Sequence, residues 1–245
     1  MLTCDLFTER LNTVFRSLTL DHLLTPDRSE AFYALFRYLV EENEKYNLTA
    51  VTDPEGVILL HFADSLMGEA LIPQGACMAD IGCGAGFPSL PLALCRPDLT
   101  VTATDATAKK TAFVAAAADR LGLSNIRTLA GRAEALGRGA QREAYDLVTA
   151  RAVAALPVLL ELCAPLIRTD GLFLALKGRT AMEELSAARH AAGELKCKVI
   201  FTKEYTIGTR LYLSIISLIL SISSCSKPSE AILSPVCGWK MCAPL

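Results

Sequence analysis

From Cys77 onward, short apolar runs alternate with stretches whose apolar residues recur at helical spacing. Such alternation is typical of parallel β-α-β units, in which each strand is followed by a helix that crosses back over the sheet. We therefore predict an α/β fold with a doubly wound sheet that binds its ligands at the carboxyl ends of the strands. The predicted strands lie near 77–81, 99–104, 126–130, 145–150 and 171–177. The predicted helices lie near 88–95, 107–122, 155–168 and 180–193.

The residues before this alternation predict an N-terminal helical cap. One amphipathic helix carries apolar residues at Phe7, Leu11, Val14, Phe15 and Leu18. A second begins at Thr25-Pro26 and carries Phe32, Leu35, Phe36 and Leu39. Residues 47–52 break the helical pattern. Asp53-Pro54 then supplies the N-cap and first turn of a third helix that we expect to run to about Leu71.

Composition excludes several classes of protein. Among the 245 residues, 52% are hydrophobic and 20% are charged, which excludes disorder for the bulk of the chain. A net charge of −2 excludes binding to nucleic acid by bulk charge alone, although a local basic patch is compatible with it. The apolar run Leu211–Ile222 is shorter than the roughly 20 residues of a membrane-spanning helix.

The cysteines favour a cytoplasmic protein without a metal. There are 9 of them, with no C-x-x-C pair and no Cys/His cluster, so zinc and iron–sulfur sites are not expected. Asp5 and Glu9 stand where a secretory leader needs positive charge, which makes reduced cytosolic thiols the natural interpretation.

A glycine-rich segment, Asp80-Ile81-Gly82-Cys83-Gly84-Ala85-Gly86-Phe87, lies between a predicted strand and a predicted helix. Glycines let the backbone turn tightly and approach a ligand closely, because no Cβ obstructs it. Phe87 stands where a dinucleotide fingerprint requires its third glycine. The spacing acid-x-G-x-G-x-G instead favours a nucleoside ligand without a pyrophosphate, with Asp80, Gly82 and Gly84 at its site.

Asp105 ends the next predicted strand, 19 residues after Gly86. A carboxylate in that place is suited to accept hydrogen bonds from both hydroxyls of an adenosine ribose. The alternative is an aspartate that only caps a strand-to-helix turn. The strand, the glycines and the acid together favour ligand binding.

At these residues the sequence resembles the ribosomal RNA small subunit methyltransferase G family, also called glucose-inhibited division protein B. The resemblance covers about residues 30–208. It implies a class I S-adenosylmethionine-dependent, Rossmann-like enzyme that methylates N7 of a guanine in 16S rRNA. The matching segments are Asn47–Ala50 with His61–Leu66, Asp80–Pro91, Gly131–Glu134, Thr149–Ala154 and Ala175–Gly178.

The resemblance also implies the residues that contact the cofactor, which are Gly82, Phe87, Ala133, Glu134 and Arg151. The sulfonium of S-adenosylmethionine activates its methyl group, and guanine N7 has a lone pair and no proton. Methyl transfer therefore requires alignment and exclusion of water rather than a metal or a general base.

Each of these residues also has an ordinary structural interpretation. Asp80 either faces the amino-acid end of the cofactor or caps the following turn. Phe87 either packs beside the cofactor or belongs to the core. Glu134 is a contact or a solvated charge at a helix start, and Arg151 binds the cofactor carboxylate, an RNA phosphate or only solvent.

Three polar residues on one face of the third helix are candidates for contact with the target base. His61, Asp64 and Ser65 have i, i+3, i+4 spacing. They either line the cleft and contact guanine, or His61 and Asp64 form a structural hydrogen bond. Asn47 either contacts a base edge or caps a turn.

We expect 16S rRNA or the small ribosomal subunit as partner, no membrane association, and a monomer. Residues 127–179 contain 8 Lys or Arg against 5 acids, an excess that suits contact with phosphates but not tight binding. The expected regions are a helical extension (1–72), a methyltransferase domain (73–208) and an atypical tail (209–245).

The tail departs from the family's Lys/Arg-rich ending. Residues 211–245 contain 3 charged residues and 8 serines, which either divergence or a shifted reading frame explains. An alternative function is therefore a homologue that binds the cofactor but is catalytically impaired. A nicotinamide-dependent oxidoreductase is a further alternative, against which Phe87 and the lack of a Tyr-x-x-x-Lys pair argue.

Overall fold

The structure is a computed structural model that describes residues 2–178, 180–197 and 202, together with the backbone of residues 215–216. Its centre is one sheet with the strand order β3-β2-β1-β4-β5-β6. Strands β1 to β5 are parallel, and the two-residue β6 is antiparallel to β5. The strands are β1 (Cys77–Ile81), β2 (Thr100–Asp105), β3 (Ile126–Ala130), β4 (Tyr145–Arg151), β5 (Ile167–Leu176) and β6 (Ile215–Ile216).

Helices precede the sheet and cross between its strands. A π-helical stretch, Ile58–Ala63, joins α3 to α4. Single 3-10 turns occupy Asp21–Leu23, Glu69–Leu71 and Ala164–Leu166. The α-helices are α1 (Cys4–Ser17), α2 (Pro26–Tyr46), α3 (Pro54–Val57), α4 (Asp64–Leu66), α5 (Ser89–Cys95), α6 (Ala108–Arg120), α7 (Ala133–Arg138), α8 (Leu156–Cys163) and α9 (Ala181–Glu194).

The predicted helix starts are confirmed by their caps. The Thr25 hydroxyl accepts a hydrogen bond from the Arg28 N–H, and the Asp53 carboxylate accepts one of 2.7 Å from the Gly56 N–H. Each cap satisfies a backbone donor that the first turn of a helix leaves unpaired. Pro26 and Pro54 follow these caps, where a missing N–H costs nothing.

Alternate residues of the strands face two separate apolar layers, because successive side chains of a strand point to opposite faces. Met78 and Val101 pack into the layer formed with α1 to α6, whereas Ala79 and Val148 pack into the layer formed with α7 to α9. Helices therefore cover both faces of the sheet, and the predicted doubly wound, Rossmann-like α/β fold is confirmed. The N-terminal helices share the first layer with α5 and α6.

Three helical predictions differ from the structure in detail. The helix predicted over 155–168 ends at Cys163, since Pro165 cannot continue it and a 3-10 turn leads into β5. The third helix is interrupted by the π-helical stretch and ends at Leu66. The six-residue α7 was expected only as a helix start at Glu134, without bounds, because it is too short to show an amphipathic period.

Two expectations concern the membrane and the tail. Over the residues with described positions, none of the helices combines the length and the apolar character needed to cross a bilayer. The tail predicted as atypical lies outside the described residues, apart from the backbone of Ile215–Ile216, which pairs with Ala175 and Leu176.

Candidate functional site

Two adjoining cavities open at the carboxyl edge of the sheet. The larger, about 480 Å³, has Arg151, His61, Asp64 and Phe87 in its wall, and we call it the Arg151 cavity. The smaller, about 320 Å³, has Asp105 in its wall and is called the Asp105 cavity. Their walls share the residues Gly82, Lys110 and Ala152. Two neighbouring cavities therefore lie at the predicted location of the ligand site.

The glycine segment forms the part of the wall between the cavities. Gly82 has φ +72°, and a Cβ built there would lie 2.5 Å from Val153 Cγ2. Both the left-handed backbone and the close contact with Val153 disfavour a residue with a Cβ. The Cys83 N–H donates to the Thr104 carbonyl at 2.8 Å, which ties the turn to β2. The local fold therefore favours glycine at this position.

Asp105 lies at the end of β2 in the wall of its cavity. Its carboxylate accepts hydrogen bonds from the Thr107 N–H at 2.8 Å and the Gly84 N–H at 3.1 Å, and Lys110 Nζ is 3.6 Å away. The side chain therefore does what the ordinary interpretation expected, capping the turn before α6, and also fixes Gly84. It does so at the rim of a cavity, where a ligand with hydroxyl groups would meet it.

Asp80 on β1 is placed differently from Asp105 on β2. It is fully buried, and its carboxylate accepts hydrogen bonds from Ser89 and from the Thr149 hydroxyl. Burial raises its pKa to about 6, against the effect of both hydrogen bonds. Among the described residues it is not part of the wall of either cavity. Its side chain holds the start of α5 and strand β4 together.

Aromatic and cationic groups stack in the Arg151 cavity. The imidazole of His61 lies on the Phe87 ring, with centroids 4.5 Å apart and an angle of 12° between the planes. The Arg151 guanidinium carbon is 5.6 Å from the Phe87 centroid. Phe87 is 3% exposed, so it is a core residue whose ring edge reaches the cavity wall. Such stacking fixes the orientation of all three groups.

His61 is held at both ring nitrogens. Its Nε2 is 2.8 Å from the Thr49 hydroxyl, and its Nδ1 is 3.2 Å from the Leu60 carbonyl. Burial lowers the pKa of His61 to about 4, and the charge of Arg151 acts in the same direction. The imidazole is therefore neutral at pH 7.

Arg151 connects the sheet to the N-terminal helices. Its Nη1 donates to the Leu60 carbonyl at 2.7 Å and to Asp64 Oδ2 at 2.8 Å. The guanidinium and the Asp64 carboxylate are both largely shielded from water, which strengthens the pair. The residues predicted as cofactor contact and substrate contacts thus meet in one cluster.

Other predicted residues lie farther from this cluster. Ala133 and Glu134 begin α7 and line the Asp105 cavity, where Glu134 is exposed. Asn47 ends α2 in the left-handed conformation with φ +48°, a position that asparagine tolerates. It is exposed and, as far as the described residues go, it is absent from both cavity walls, whereas Ser65 is buried and donates to the His61 carbonyl.

The sequence did not reveal three further groups at the site. Lys110 contributes to both cavities, and Lys177 and Glu184 contribute to the Arg151 cavity. Lys177 Nζ is 2.7 Å from Glu184 Oε2. Burial opposes the ionised form of Glu184, but hydrogen bonds from Lys177, Thr180 and a backbone N–H outweigh it and lower the pKa. Lys177 lies in the segment Ala175–Gly178, which carries part of the family resemblance, whereas nothing in the sequence indicates Glu184 as a site residue.

The side chains that line the two cavities suit an organic ligand rather than a metal ion. Over the described part of the chain, no group of three or more His, Cys, Asp and Glu side chains is arranged to hold a metal ion. Carboxylates, cationic side chains and glycine backbone line the two cavities, which suits a nucleoside with a charged extension.

Comparison with known proteins identifies similar sequences. The model of a family described as rRNA small subunit methyltransferase G matches residues 28–212. The "Ribosomal RNA small subunit methyltransferase G" of Deinococcus radiodurans is 48% identical over 182 residues, 73% of this chain and 72% of that protein. The protein of the same name from Lactobacillus delbrueckii subsp. bulgaricus is 44% identical over 189 residues, 75% of this chain and 79% of its own.

Comparison with solved structures agrees on the fold. An O-methyltransferase from Bacillus cereus, described as a complex with SAH, superposes with a TM-score of 0.50 and 14% identity. The match covers 74% of this chain and 88% of that one. At this identity the likeness supports the α/β fold and carries no information on the substrate.

Proposed function

The chain belongs to the rRNA small subunit methyltransferase G family, and on this premise we propose how its two cavities divide the work of the enzyme. The enzyme is an S-adenosylmethionine-dependent methyltransferase that acts on N7 of a guanine in 16S rRNA. We assign the Asp105 cavity to the adenosine of the cofactor and the Arg151 cavity to the reacting methyl group and the target guanine. The observation that supports this assignment most directly is that Gly82 contributes to the walls of both cavities.

The residues of the Asp105 cavity fit an adenosine. Asp105 offers carboxylate oxygens to the ribose hydroxyls, and Ala133 and Glu134 begin a helix beside the space for the base. Gly82 contributes backbone to this wall, and its left-handed turn brings the chain from β1 past the cavity. When bound, S-adenosylmethionine supplies an activated methyl group on its sulfonium.

The Arg151 cavity offers a guanine base polar groups of both signs. His61 is neutral at pH 7 and Asp64 supplies a carboxylate, while Arg151, Lys110 and Lys177 supply cationic groups. Guanine N7 bears no proton, so these side chains need only orient the base and exclude water. We therefore assign His61 and Asp64 to the target base rather than to proton transfer.

Arg151 has two roles in this proposal. Its Nη1 holds Asp64 and the Leu60 carbonyl in place. Its side chain also lines the Arg151 cavity, where it is placed to make the contact with the cofactor that the family resemblance implies. Asn47 is assigned to the RNA outside the cavity, since it is exposed beside Leu48 in the wall.

The proposal extends to partners and location. The substrate is 16S rRNA as part of the small ribosomal subunit, which places the reaction in the cytoplasm, and the chain acts as a monomer. Its regions are an extension (1–72), a methyltransferase domain (73–208) and a tail (209–245). Family membership favours a methyltransferase over the nicotinamide-dependent oxidoreductase.

Transfer of label from radioactive S-adenosylmethionine to small ribosomal subunits tests the function. The subunits come from cells that lack the activity, and the expected product is labelled 7-methylguanosine. Asp105→Asn is expected to weaken cofactor binding about 10-fold, because it removes a charge-assisted hydrogen bond. Asp119→Asn is the matched control, since Asp119 is exposed on α6.

Each outcome of this experiment has a defined meaning. Label in another nucleoside, or in none while the cofactor binds, contradicts the proposed activity and favours the impaired homologue. Equal cofactor affinity of Asp105→Asn and Asp119→Asn contradicts the assignment of the Asp105 cavity to adenosine.

A further inference from the structure

The loop of residues 152–155 lies where the two cavities meet. It follows β4, and Ala152, with φ +54°, contributes to both cavity walls. The Val153 side chain lies over Gly82, on the side where a Cβ is missing. The position of this short loop therefore affects the shape of both cavities.

Two polar contacts from outside the loop hold its far end. Lys177 Nζ donates to the Ala154 carbonyl at 2.6 Å. Glu184 Oε2 accepts a hydrogen bond of 2.8 Å from the Leu156 N–H, the first of α8. Helix α8 begins after Ala155, which has no side chain able to cap it, so Glu184 on α9 supplies the cap from a distance.

The two holding residues are themselves paired. Lys177 Nζ is 2.7 Å from Glu184 Oε2, and their side chains are only 8% and 20% exposed. The Thr180 hydroxyl donates to Glu184 Oε1 at 2.8 Å. Removing one partner leaves a shielded charge unpaired, so each residue depends on the other.

We propose that Lys177 and Glu184 are positioning residues that together hold the 152–155 loop over Gly82 and so align the two cavities for methyl transfer. The inference rests on the proposed function, because alignment matters only if one ligand reaches from cavity to cavity. Neither residue needs to touch the cofactor or the base, since their contacts with the chain are sufficient. Small displacements of such a loop are costly, because the reacting groups must stay in line.

Three variants of the full-length protein test the pair: Lys177→Met, Glu184→Gln and the double variant. The single-turnover rate of methyl transfer to small subunits is expected to fall about 30-fold in each single variant. The double variant is expected to fall no further, because the pair acts as a unit. Cofactor affinity is expected to change less than about 3-fold, because the Asp105 cavity keeps its other residues.

A second measurement reports on the loop directly. Hydrogen exchange of the peptide containing Leu156, followed by mass spectrometry, is expected to accelerate in Glu184→Gln and Lys177→Met. Lys177→Arg preserves both donor contacts and is expected to retain the transfer rate within about 3-fold. The charge-reversed double variant, Lys177→Glu with Glu184→Lys, is expected to remain slow, because an ammonium group on α9 cannot accept a hydrogen bond from the Leu156 N–H.

The outcomes separate this inference from a purely structural ion pair and from the proposed function. Wild-type rates in Lys177→Met and Glu184→Gln, or restoration by charge reversal, overturn it even if the melting temperature changes. If Lys177→Met does not fold, the milder Glu184→Gln decides the question. Failure of the wild-type protein to methylate small subunits contradicts the proposed function. The positioning role remains testable in that case, because unaltered hydrogen exchange at Leu156 in Glu184→Gln overturns it.

Discussion

The Arg151 cavity has two walls that are built in different ways. The sheet wall consists of backbone, in which Gly82 and Gly84 turn the chain between β1 and α5 with positive φ angles. The helical wall consists of side chains, in which Arg151 holds Asp64 and the Leu60 carbonyl of the π-helical stretch. The hydrogen bonds that hold the first wall join residues about 20 positions apart, whereas those of the second join residues about 90 positions apart.

This difference determines how each wall responds to substitution. A wall made of glycine backbone leaves little room for a Cβ, so an added Cβ strains the backbone and displaces the neighbouring side chain. A wall made of hydrogen-bonded side chains loses one contact at a time and keeps its packing. We therefore expect sharper effects on the sheet wall than on the helical wall.

Gly82→Ala is expected to have the largest effect. The new Cβ would lie 2.5 Å from Val153 Cγ2, in a residue whose φ is +72°. We expect about 100-fold weaker binding of S-adenosylmethionine in isothermal titration, because the Val153 side chain is displaced and the backbone is strained. Gly122→Ala is the matched control, since Gly122 has φ +65° with nothing within 4 Å of its Cβ position.

The Gly122→Ala control separates the effect of backbone strain from the effect of the close contact between a Cβ at residue 82 and Val153. Both alanine variants are strained by a left-handed conformation, but only Gly82→Ala also meets Val153. Equal cofactor affinities in the two variants would show that the close approach at Gly82 does not shape the cofactor site.

Arg151→Met is expected to have the next largest effect, on the helical wall. It leaves Asp64 and the Leu60 carbonyl without their guanidinium contacts, at a cost of about 1–3 kcal/mol in the free energy of unfolding. We expect the transfer rate to fall about 30-fold as His61 and Asp64 lose their orientation. Urea unfolding and single-turnover transfer measure the two effects.

An exposed ion pair provides the control for Arg151. Arg142 is 3.3 Å from Glu143, and both side chains are more than half exposed, at 57% and 56%. Arg142→Met is expected to leave the transfer rate unchanged and to alter stability by less than about 1 kcal/mol. A similar loss of activity in both variants would indicate a general effect of charge on RNA binding instead of a role in the wall.

The sequence predicted the sheet wall because its causes are local. The spacing of Asp80, Gly82 and Gly84, followed by Asp105 at the end of the next strand, was enough to place the glycine loop and the two strand ends. The structure confirms β1 and β3 at their predicted bounds and places Asp105 in a cavity wall. Periodicity and turn chemistry act over a few residues, which is the range that a single sequence reveals.

The sequence indicated His61, Asp64 and Arg151 as site residues, but the contacts that join them in the helical wall could not be predicted, because those contacts are tertiary. The Arg151–Asp64 pair and the contact of Glu184 with the Leu156 N–H join elements whose packing is invisible in sequence spacing. Asp80 shows the same limit, since its hydrogen bond from Thr149 crosses 69 positions. The π-helical stretch Ile58–Ala63 likewise has no signature in the sequence, and only the structure shows it.

The smallest expected effect compares a titrating group from each side of the site, His61 and Asp80. Burial lowers the pKa of His61 to about 4, so its contribution to stability is present above pH 6.5 and is lost as the pH falls toward 4. Burial raises the pKa of Asp80 to about 6, so its contribution is present below pH 3.8 and is lost as the pH rises through 6. Between pH 7 and pH 5 the two groups therefore act in opposite directions.

Urea unfolding of His61→Gln and Asp80→Asn at pH 7 and pH 5 resolves the two contributions. Relative to wild type, acidification is expected to favour His61→Gln and to disfavour Asp80→Asn, each by about 1–2 kcal/mol, because each variant removes one of the opposing titrations. His190→Gln is the control for the loss of an imidazole as such, since His190 is exposed on α9. A His61→Gln variant with the wild-type pH dependence would mean that the imidazole is not held as a neutral group, and the helical wall would then lack the uncharged ring that we assign to the target base.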